Sequence, residues 1–265
     1  MEVFAIFAFV FVGIVAGLIA GLLGLSGGVV TVPCLLFIFH FLDFPQAQLM
    51  HMAIGTSLSA MVITGIASSW AHHLHKGVMW AVALKMLPGI IVGCLLGSFI
   101  AQFLSGVILQ IIFGFFVCSL GAYIIFKKKK TPSPSREKPH NTLYSWIGMG
   151  IGTVASMLGI GGGVFMVPLL ISYRFSEQKA IGTSAATGLM ITSMAALSYL
   201  YFGMDVITVP MSLGYIYLPA FALVSVGTVI FAPIGAKMAH KMDGAKLRKI
   251  FAGTLIIVGV LMILN

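Results

Sequence analysis

Apolar residues occupy ten runs along the chain, separated by short polar or basic stretches. The runs are 3–23, 29–42, 52–72, 78–100, 106–126, 142–158, 164–173, 180–202, 209–236 and 246–264. A helix needs about 20 apolar residues to cross a bilayer, and eight of the runs approach or exceed that length. The second and seventh runs are shorter and predict half-spans or tilted short helices. The pattern therefore predicts an all-α polytopic membrane protein.

Composition supports the membrane assignment. Of the 265 residues, 60% are hydrophobic and 8% are charged, whereas a soluble domain carries about 25% charged residues. The three cysteines, Cys34, Cys94 and Cys118, lie in apolar runs, so no disulfide framework is expected. The N-terminus carries Glu2 and no basic segment, which favours a retained first span over a cleaved signal peptide. The expected surroundings are a lipid bilayer, and nucleic acid is not an expected partner.

The basic residues predict the orientation of the spans. Residues 127–141 form a basic, proline-broken linker between a repeat at 1–126 and a second at 142–265. The positive-inside rule makes this linker cytoplasmic. Counting spans outward from it places 14 of the 15 lysines and arginines in cytoplasmic loops and leaves Lys85 within a span. Five spans per half then put both termini outside the plasma membrane. Four spans per half, with both termini inside, is the alternative.

Two glycine-rich breaks divide the first and sixth apolar runs from the short runs that follow. Residues 13–36 and 148–171 agree at 11 of 24 positions at an offset of 135. The repeat continues in Ala53–Ser57 and Ala180–Ser184, both reading Ala-Ile-Gly-Thr-Ser, and in the pairs Leu87-Pro88 and Leu218-Pro219. Matching loops differ in charge, which predicts two copies inserted in opposite orientations. Interrupted apolar segments at matching places in two halves are typical of a transporter's binding site.

These duplicated motifs resemble the TauE/SafE sulfite exporter family over essentially the whole chain. The resemblance rests on the glycine motif with its following Val-Pro, on the Ala-Ile-Gly-Thr-Ser repeat and on the Leu-Pro repeat. It implies an integral membrane transporter of sulfite, an organosulfonate or a related small anion.

The glycine breaks are the first candidates for contact with that anion. A helix that begins at such a break has free backbone N–H groups and the positive end of its dipole there. Gly163 lies eleven residues before the basic Arg174, about 15–17 Å along a helix, which predicts a position near the middle of the membrane. A tight surface turn is the alternative for the break, and close helix packing is the alternative for its glycines. The candidates in the two breaks are Ser26, Gly27, Gly28, Gly161, Gly162 and Gly163.

Hydroxyl groups and one lysine complete the predicted site. Thr56, Ser57, Thr183 and Ser184 belong to the Gly-Thr-Ser motifs. Their hydroxyls suit an oxyanion, although they could instead bond to their own helix or join helices. Lys85 lies nine residues, about 14 Å, into its span when counted from Lys76. It either attracts the anion or extends to the interface.

No catalytic site, metal site or cofactor is expected, and the chain is not predicted to be an enzyme. His72, His73 and His75 form a loop cluster in which metal binding is the weaker interpretation. The resulting hypothesis is an alternating-access carrier with one site at the crossing of two inverted repeats. A passive anion channel and a membrane assembly or receptor protein without flux are the alternatives. The sequence leaves the oligomeric state open, a homodimer included.

Overall fold

A computed structural model describes residues 2–23, 27–126, 141–173, 175–206, 209–239 and 244–264. These residues form ten helices and one two-stranded hairpin. The elements in chain order are α1 (Glu2–Leu23), α2 (Gly28–Phe41), α3 (Leu49–Leu74), α4 (Trp80–Phe103), α5 (Gly106–Phe126), α6 (Asn141–Leu158), α7 (Gly163–Ser172), α8 (Glu177–Gly203), β1 (Ser212–Leu213), β2 (Ile216–Tyr217), α9 (Leu218–Ala239) and α10 (Gly244–Leu264). The predicted all-α polytopic class is confirmed. The linker residues 127–140 and Ser26 lie outside the described part of the chain.

Among the described residues, eight helices have 18 to 27 residues, and two are shorter. Six of those described are long and apolar enough to cross a bilayer, namely α1, α3, α4, α5, α8 and α9. The two helices that follow the glycine breaks are short: α2 has 14 residues and α7 has 10. At 1.5 Å per residue they measure about 21 and 15 Å, against a hydrocarbon core of about 30 Å. Neither is long enough to cross the membrane alone.

The helices of the first and second halves of the chain are interleaved. α3 and α8 pack against each other and are the most buried of the candidate spans. α1 packs along α9, α6 packs along α4, and α5 packs along α10. The short helices α2 and α7 lie against α3 and α8, respectively. The first helix of each half is therefore packed on the fourth helix of the other half.

Glycines bring the paired helices into close contact. A Cβ atom on Gly13 of α1 would lie 2.7 Å from the carbonyl oxygen of Val224 in α9. On α4, a Cβ on Gly93 would collide with the carbonyl oxygen of Met149 in α6. Small residues let backbones approach where the lipid offers no hydrophobic driving force for association. Close packing thus accounts for these glycines.

The sequence predicts one continuous apolar segment at 209–236, but the structure divides this run into a hairpin and a helix. β1 and β2 form an antiparallel hairpin in which Ser212 pairs with Tyr217 and Leu213 with Ile216, and α9 begins only at Leu218. Two residues at the turn adopt positive φ, Met211 at 61° and Gly214 at 54°, and this conformation does not continue a helix. The two prolines of the Leu-Pro match stand at different distances from the starts of their helices. Pro219 is the second residue of α9, whereas Pro88 is the ninth of α4.

Candidate functional site

The second glycine break lies inside the protein. Gly159 ends α6 with φ at +66°. The N–H of Ile160 donates to the carbonyl of Ala155 (3.0 Å) and that of Gly159 to the carbonyl of Ser156 (3.4 Å). Such a pair of bonds closes a helix around a left-handed glycine. Residues 158–164 are all buried, so this break is not an exposed surface turn.

The two helices that follow the breaks begin with the same geometry. Gly27, before α2, has φ −61° and ψ −3°, and Gly162, before α7, has φ −60° and ψ −2°. Within the described residues, no side-chain hydrogen bond caps either helix. The first amides of each helix have no carbonyl partner in their own helix, and the positive end of the dipole is there. This arrangement attracts a negative charge.

The two breaks meet in the interior. A Cβ on Gly28 would collide with the carbonyl oxygen of Gly159 and would lie 2.9 Å from the Cε of Met61. A Cβ on Gly27 would lie 3.1 Å from the carbonyl oxygen of Ala16. Close packing between backbones therefore accounts for both of these glycines. A ligand role for them stays a prediction.

The glycines of the second break differ in how much space surrounds them. Gly161, Gly162 and Gly163 are all buried. A Cβ on Gly162 would collide with the Cδ1 of Ile191, but one on Gly163 would meet only the Oγ of Ser184, at an ordinary 3.4 Å. Gly163 and Ser184 are thus two predicted site residues that the fold brings together at a helix N-terminus.

The Gly-Thr pairs join the two halves at two places. At the hairpin junction, formed by Gly55, Thr56, Tyr215 and Tyr217, the N–H of Tyr217 donates to Thr56 Oγ1 (3.0 Å). A Cβ on Gly55 would lie 2.6 Å from the carbonyl oxygen of Tyr215.

The Met79 junction, formed by Gly77, Met79, Gly182 and Thr183, repeats this arrangement with the halves exchanged. The N–H of Met79 donates to Thr183 Oγ1 (2.9 Å). A Cβ on Gly182 would lie 2.5 Å from the carbonyl oxygen of Gly77. Both threonine hydroxyls accept the N–H of the residue just before a helix of the other half. These bonds are structural contacts that the sequence did not reveal.

Ser57 is buried, and its hydroxyl has no hydrogen-bond partner within the described residues. It lies one turn before Met61, the side chain that packs against Gly28. A buried hydroxyl without a partner costs free energy, which makes Ser57 a candidate for contact with a polar ligand. Its repeat counterpart, Ser184, is the residue that faces Gly163.

Lys85 lies apart from the glycine breaks. It is an exposed residue of α4, and its carbonyl accepts the hydroxyl of Ser145 at 2.8 Å. α4 begins at Trp80, so Lys85 is about 8 Å from the start of its helix. The predicted distance of about 14 Å counts a continuous helix from Lys76, whereas the chain between Lys76 and Trp80 is not helical, so the depth of Lys85 in the membrane stays a prediction.

His51 is a buried ionisable residue that the sequence analysis missed. Its side chain is 4% exposed, and its ring stacks on Tyr215 with centroids 5.2 Å apart. Burial raises the pKa of the Tyr215 hydroxyl above its ordinary value. The signal was present, since an ionisable residue in an apolar span indicates function by default, but the predicted run began after it, at residue 52. Among the described residues, no group of three histidine, cysteine or acidic side chains is placed to hold a metal.

Comparisons with known proteins agree with this architecture. Residues 9–262 match the sequence model of the family described as "Sulfite exporter TauE/SafE". A "Probable membrane transporter protein" of Haemophilus influenzae is 35% identical over 257 residues, 96% of each chain. The "Probable membrane transporter protein MJ0441" of Methanocaldococcus jannaschii is 25% identical over 96% of this chain and 94% of its own. No solved structure gives a significant match. The chain belongs to the TauE/SafE family of membrane transporters and is not an enzyme.

Proposed function

We propose that the protein exports a small sulfur-containing anion, such as sulfite or an organosulfonate, across the plasma membrane by alternating access. The observation that carries the proposal is the buried start of α7, which no side chain caps within the described residues and where a Cβ on Gly163 would meet the hydroxyl of Ser184. The family description names sulfite export, and a compact oxyanion suits a site built from amides and a hydroxyl.

The binding step is assigned to the N-termini of α7 and α2. The amides of Gly163 and Val164 have no acceptor in their own helix, and the Ser184 hydroxyl adds a donor beside them. In the first half, Ser57, whose buried hydroxyl has no partner among the described residues, lies one turn before Met61, which packs against Gly28 at the start of α2. Lipid supplies no hydrogen bonds, so non-helical backbone at such a depth is tolerated where it is buried in protein or faces a wet cavity.

The transport step is assigned to two inverted repeats that move relative to each other. The matching contacts at the hairpin and Met79 junctions support this proposal, because each repeat closes on the helix entry of the other. The positive-inside rule places the Met79 junction near the cytoplasm and the hairpin junction near the outside. An inside-negative potential favours exit of a monovalent anion by about 2.3 kcal/mol per 100 mV.

The change Gly163→Ala tests the site with little risk to folding. The added methyl group would stand 3.4 Å from Ser184 Oγ and clash with nothing, and it would take up space at the start of α7, where we propose that the anion binds. We expect saturable counterflow of ³⁵S-labelled sulfite in proteoliposomes with the wild-type protein. The variant should lose about tenfold or more in apparent affinity, the scale of one hydrogen bond to a charged group.

The matched control is Gly253→Ala on α10, where a Cβ would meet nothing within 4 Å. It should transport sulfite like the wild-type protein. An unchanged apparent affinity for sulfite in Gly163→Ala would show that the anion does not bind at the start of α7. Flux that never saturates and shows no counterflow would indicate a channel instead, and the absence of flux for all sulfur oxyanions would overturn the substrate class.

A further inference from the structure

His51 has one ring nitrogen bonded and the other unpartnered. Its Nε2 lies 2.9 Å from the carbonyl oxygen of Ala101 at the end of α4. A carbonyl only accepts, so Nε2 carries the hydrogen and donates it, which leaves a lone pair on Nδ1 in the neutral ring. Nδ1 is buried and makes no hydrogen bond of good geometry within the described residues, and the Ala47 carbonyl, one turn earlier in the chain, lies where it would stabilise a proton on the ring. It is a proton acceptor held inside the protein.

The His51 ring supports the hairpin junction. It stacks on Tyr215 at an interplanar angle of 28°, and the N–H of Tyr215 donates to the carbonyl of Tyr199 in α8 (3.2 Å). The carbonyl of Tyr215 packs against Gly55, two residues before the Tyr217 N–H that bonds to Thr56. A change in charge on His51 therefore acts directly on the contact that closes this end of the molecule.

Unpartnered polar atoms are concentrated around the same junction. Among the described residues, seven buried side-chain polar atoms lack a partner, and four of these belong to this end. The four are Gln48 Oε1, His51 Nδ1, Tyr199 Oη and Ser212 Oγ. Each costs free energy while it stays buried. Entry of water would satisfy all four together.

The groups facing His51 do not hold a compensating charge in contact with its ring. The ring of Tyr215 in the hairpin and the carbonyl of Ala101 in α4 contact the His51 ring. Tyr199 of α8 lies behind Tyr215, with 6.0 Å between the centroids of the two tyrosine rings. The acidic residues in the loops at this end, Asp43 and Asp205, are exposed. A proton on His51 would thus be a buried charge, which is costly unless water reaches it.

We propose that His51 binds a proton on Nδ1 and thereby opens the hairpin junction to water, whereas the neutral ring keeps it closed. The inference rests on the proposed function, since it assigns a proton to the outer gate of the same carrier. The Met79 junction has Gln178 at the repeat position of His51, and Trp80 Nε1 beside it donates to His73 Nδ1 (3.0 Å), so a response of that junction to pH would not involve His51.

Hydrogen–deuterium exchange of the protein in nanodiscs tests this proposal without any substrate. Peptides covering residues 212–217 report on the hairpin amides, and peptides covering Met79 report on the other junction. After correction for chemical exchange, protection of the hairpin should fall about tenfold or more between about pH 7.5 and 5.5, since one linked proton changes an equilibrium by up to tenfold per pH unit. Any change of protection at Met79 should be the same in the wild-type protein and in His51→Gln.

His51→Gln should abolish the pH response, because the glutamine amide can still donate to Ala101 but binds no proton. His75→Gln, which changes an exposed histidine, should retain the response. Equal protection of the wild-type hairpin at both pH values would overturn the proposal, whether or not the variant folds. A pH response that persists in His51→Gln would also overturn it.

Sulfite counterflow with the same protein reconstituted in proteoliposomes separates this inference from the proposed function. A pH-responsive hairpin without saturable anion flux would refute the carrier and leave the proton site intact. Saturable flux with a hairpin that does not respond to pH would refute the proton site alone.

Discussion

At the scale of single residues, two classes of buried hydroxyl differ in what they stabilise. Thr56 and Thr183 accept backbone N–H groups from the other half of the chain. Thr187, one turn after Thr183, donates instead to the Thr183 carbonyl of its own helix at 3.0 Å. A contact between halves holds the tertiary structure together, whereas a bond within one helix adds little to the bond that the carbonyl already makes.

We expect Thr183→Val to destabilise the protein by about 1–3 kcal/mol, because it leaves the N–H of Met79 without its acceptor. Thr187→Val is the matched control, since it is equally buried and one turn away, and it should cost much less. Thermal unfolding in detergent measures both. An equal loss of stability in the two variants would contradict the structural role assigned to Thr183.

At the scale of helices, glycines determine which pairs lie closest. Along α4, Gly89, Gly93 and Gly97 would each place a Cβ against the backbone of α6. On α6 itself, a Cβ on Gly150 would meet nothing within 4 Å, because this residue lies on the face lining an apolar groove between α5, α6 and α7. Glycines of one helix pair thus differ in whether a side chain is tolerated.

Gly93→Ala should therefore destabilise the protein by roughly 1–3 kcal/mol or more, since the two helices must separate to admit a methyl group. Gly150→Ala should leave stability unchanged or raise it by up to about 1 kcal/mol, because alanine is the better helix former. The unfolding midpoints of the two variants, compared with that of the wild-type protein, test this difference in stability. A stable Gly93→Ala variant would show that α4 and α6 are not in close contact.

At the scale of the whole molecule, the distribution of charge predicts the orientation, and the helices of the two halves are interleaved. The linker 127–141 carries six basic residues, and the loops assigned to the other side carry none. α1 and α9 pack side by side, as do α6 and α4, so neither half forms its contacts alone.

This orientation predicts that both termini are outside the cell. Alkaline phosphatase fused after Asn265 should be active, because it folds only outside, and a green fluorescent protein at the same point should be dark. The same two reporters inserted in the linker near Pro132 should give the opposite results. Fluorescence at the C-terminus would instead support four spans per half with parallel repeats.

The sequence predicted several residues of the candidate site, but it did not predict what each of them contacts. Gly163 and Ser184 were both predicted, and the fold places them together. Gly28, by contrast, packs on the Gly159 carbonyl, and Lys85 is exposed away from the breaks. The role of a glycine depends on what lies opposite it, which is a property of the partner helix.

The sequence by itself determined the helices, the short segments after the breaks and the duplication, because these follow from local hydrophobicity and from glycine and proline. Only the tertiary structure decided that α1 pairs with α9 and α6 with α4, that Thr56 and Thr183 hold the other half's helix entries, and that His51 lies beneath a hairpin. These contacts join residues far apart in the chain. Their free energy depends on which surfaces meet, and no local pattern records that choice.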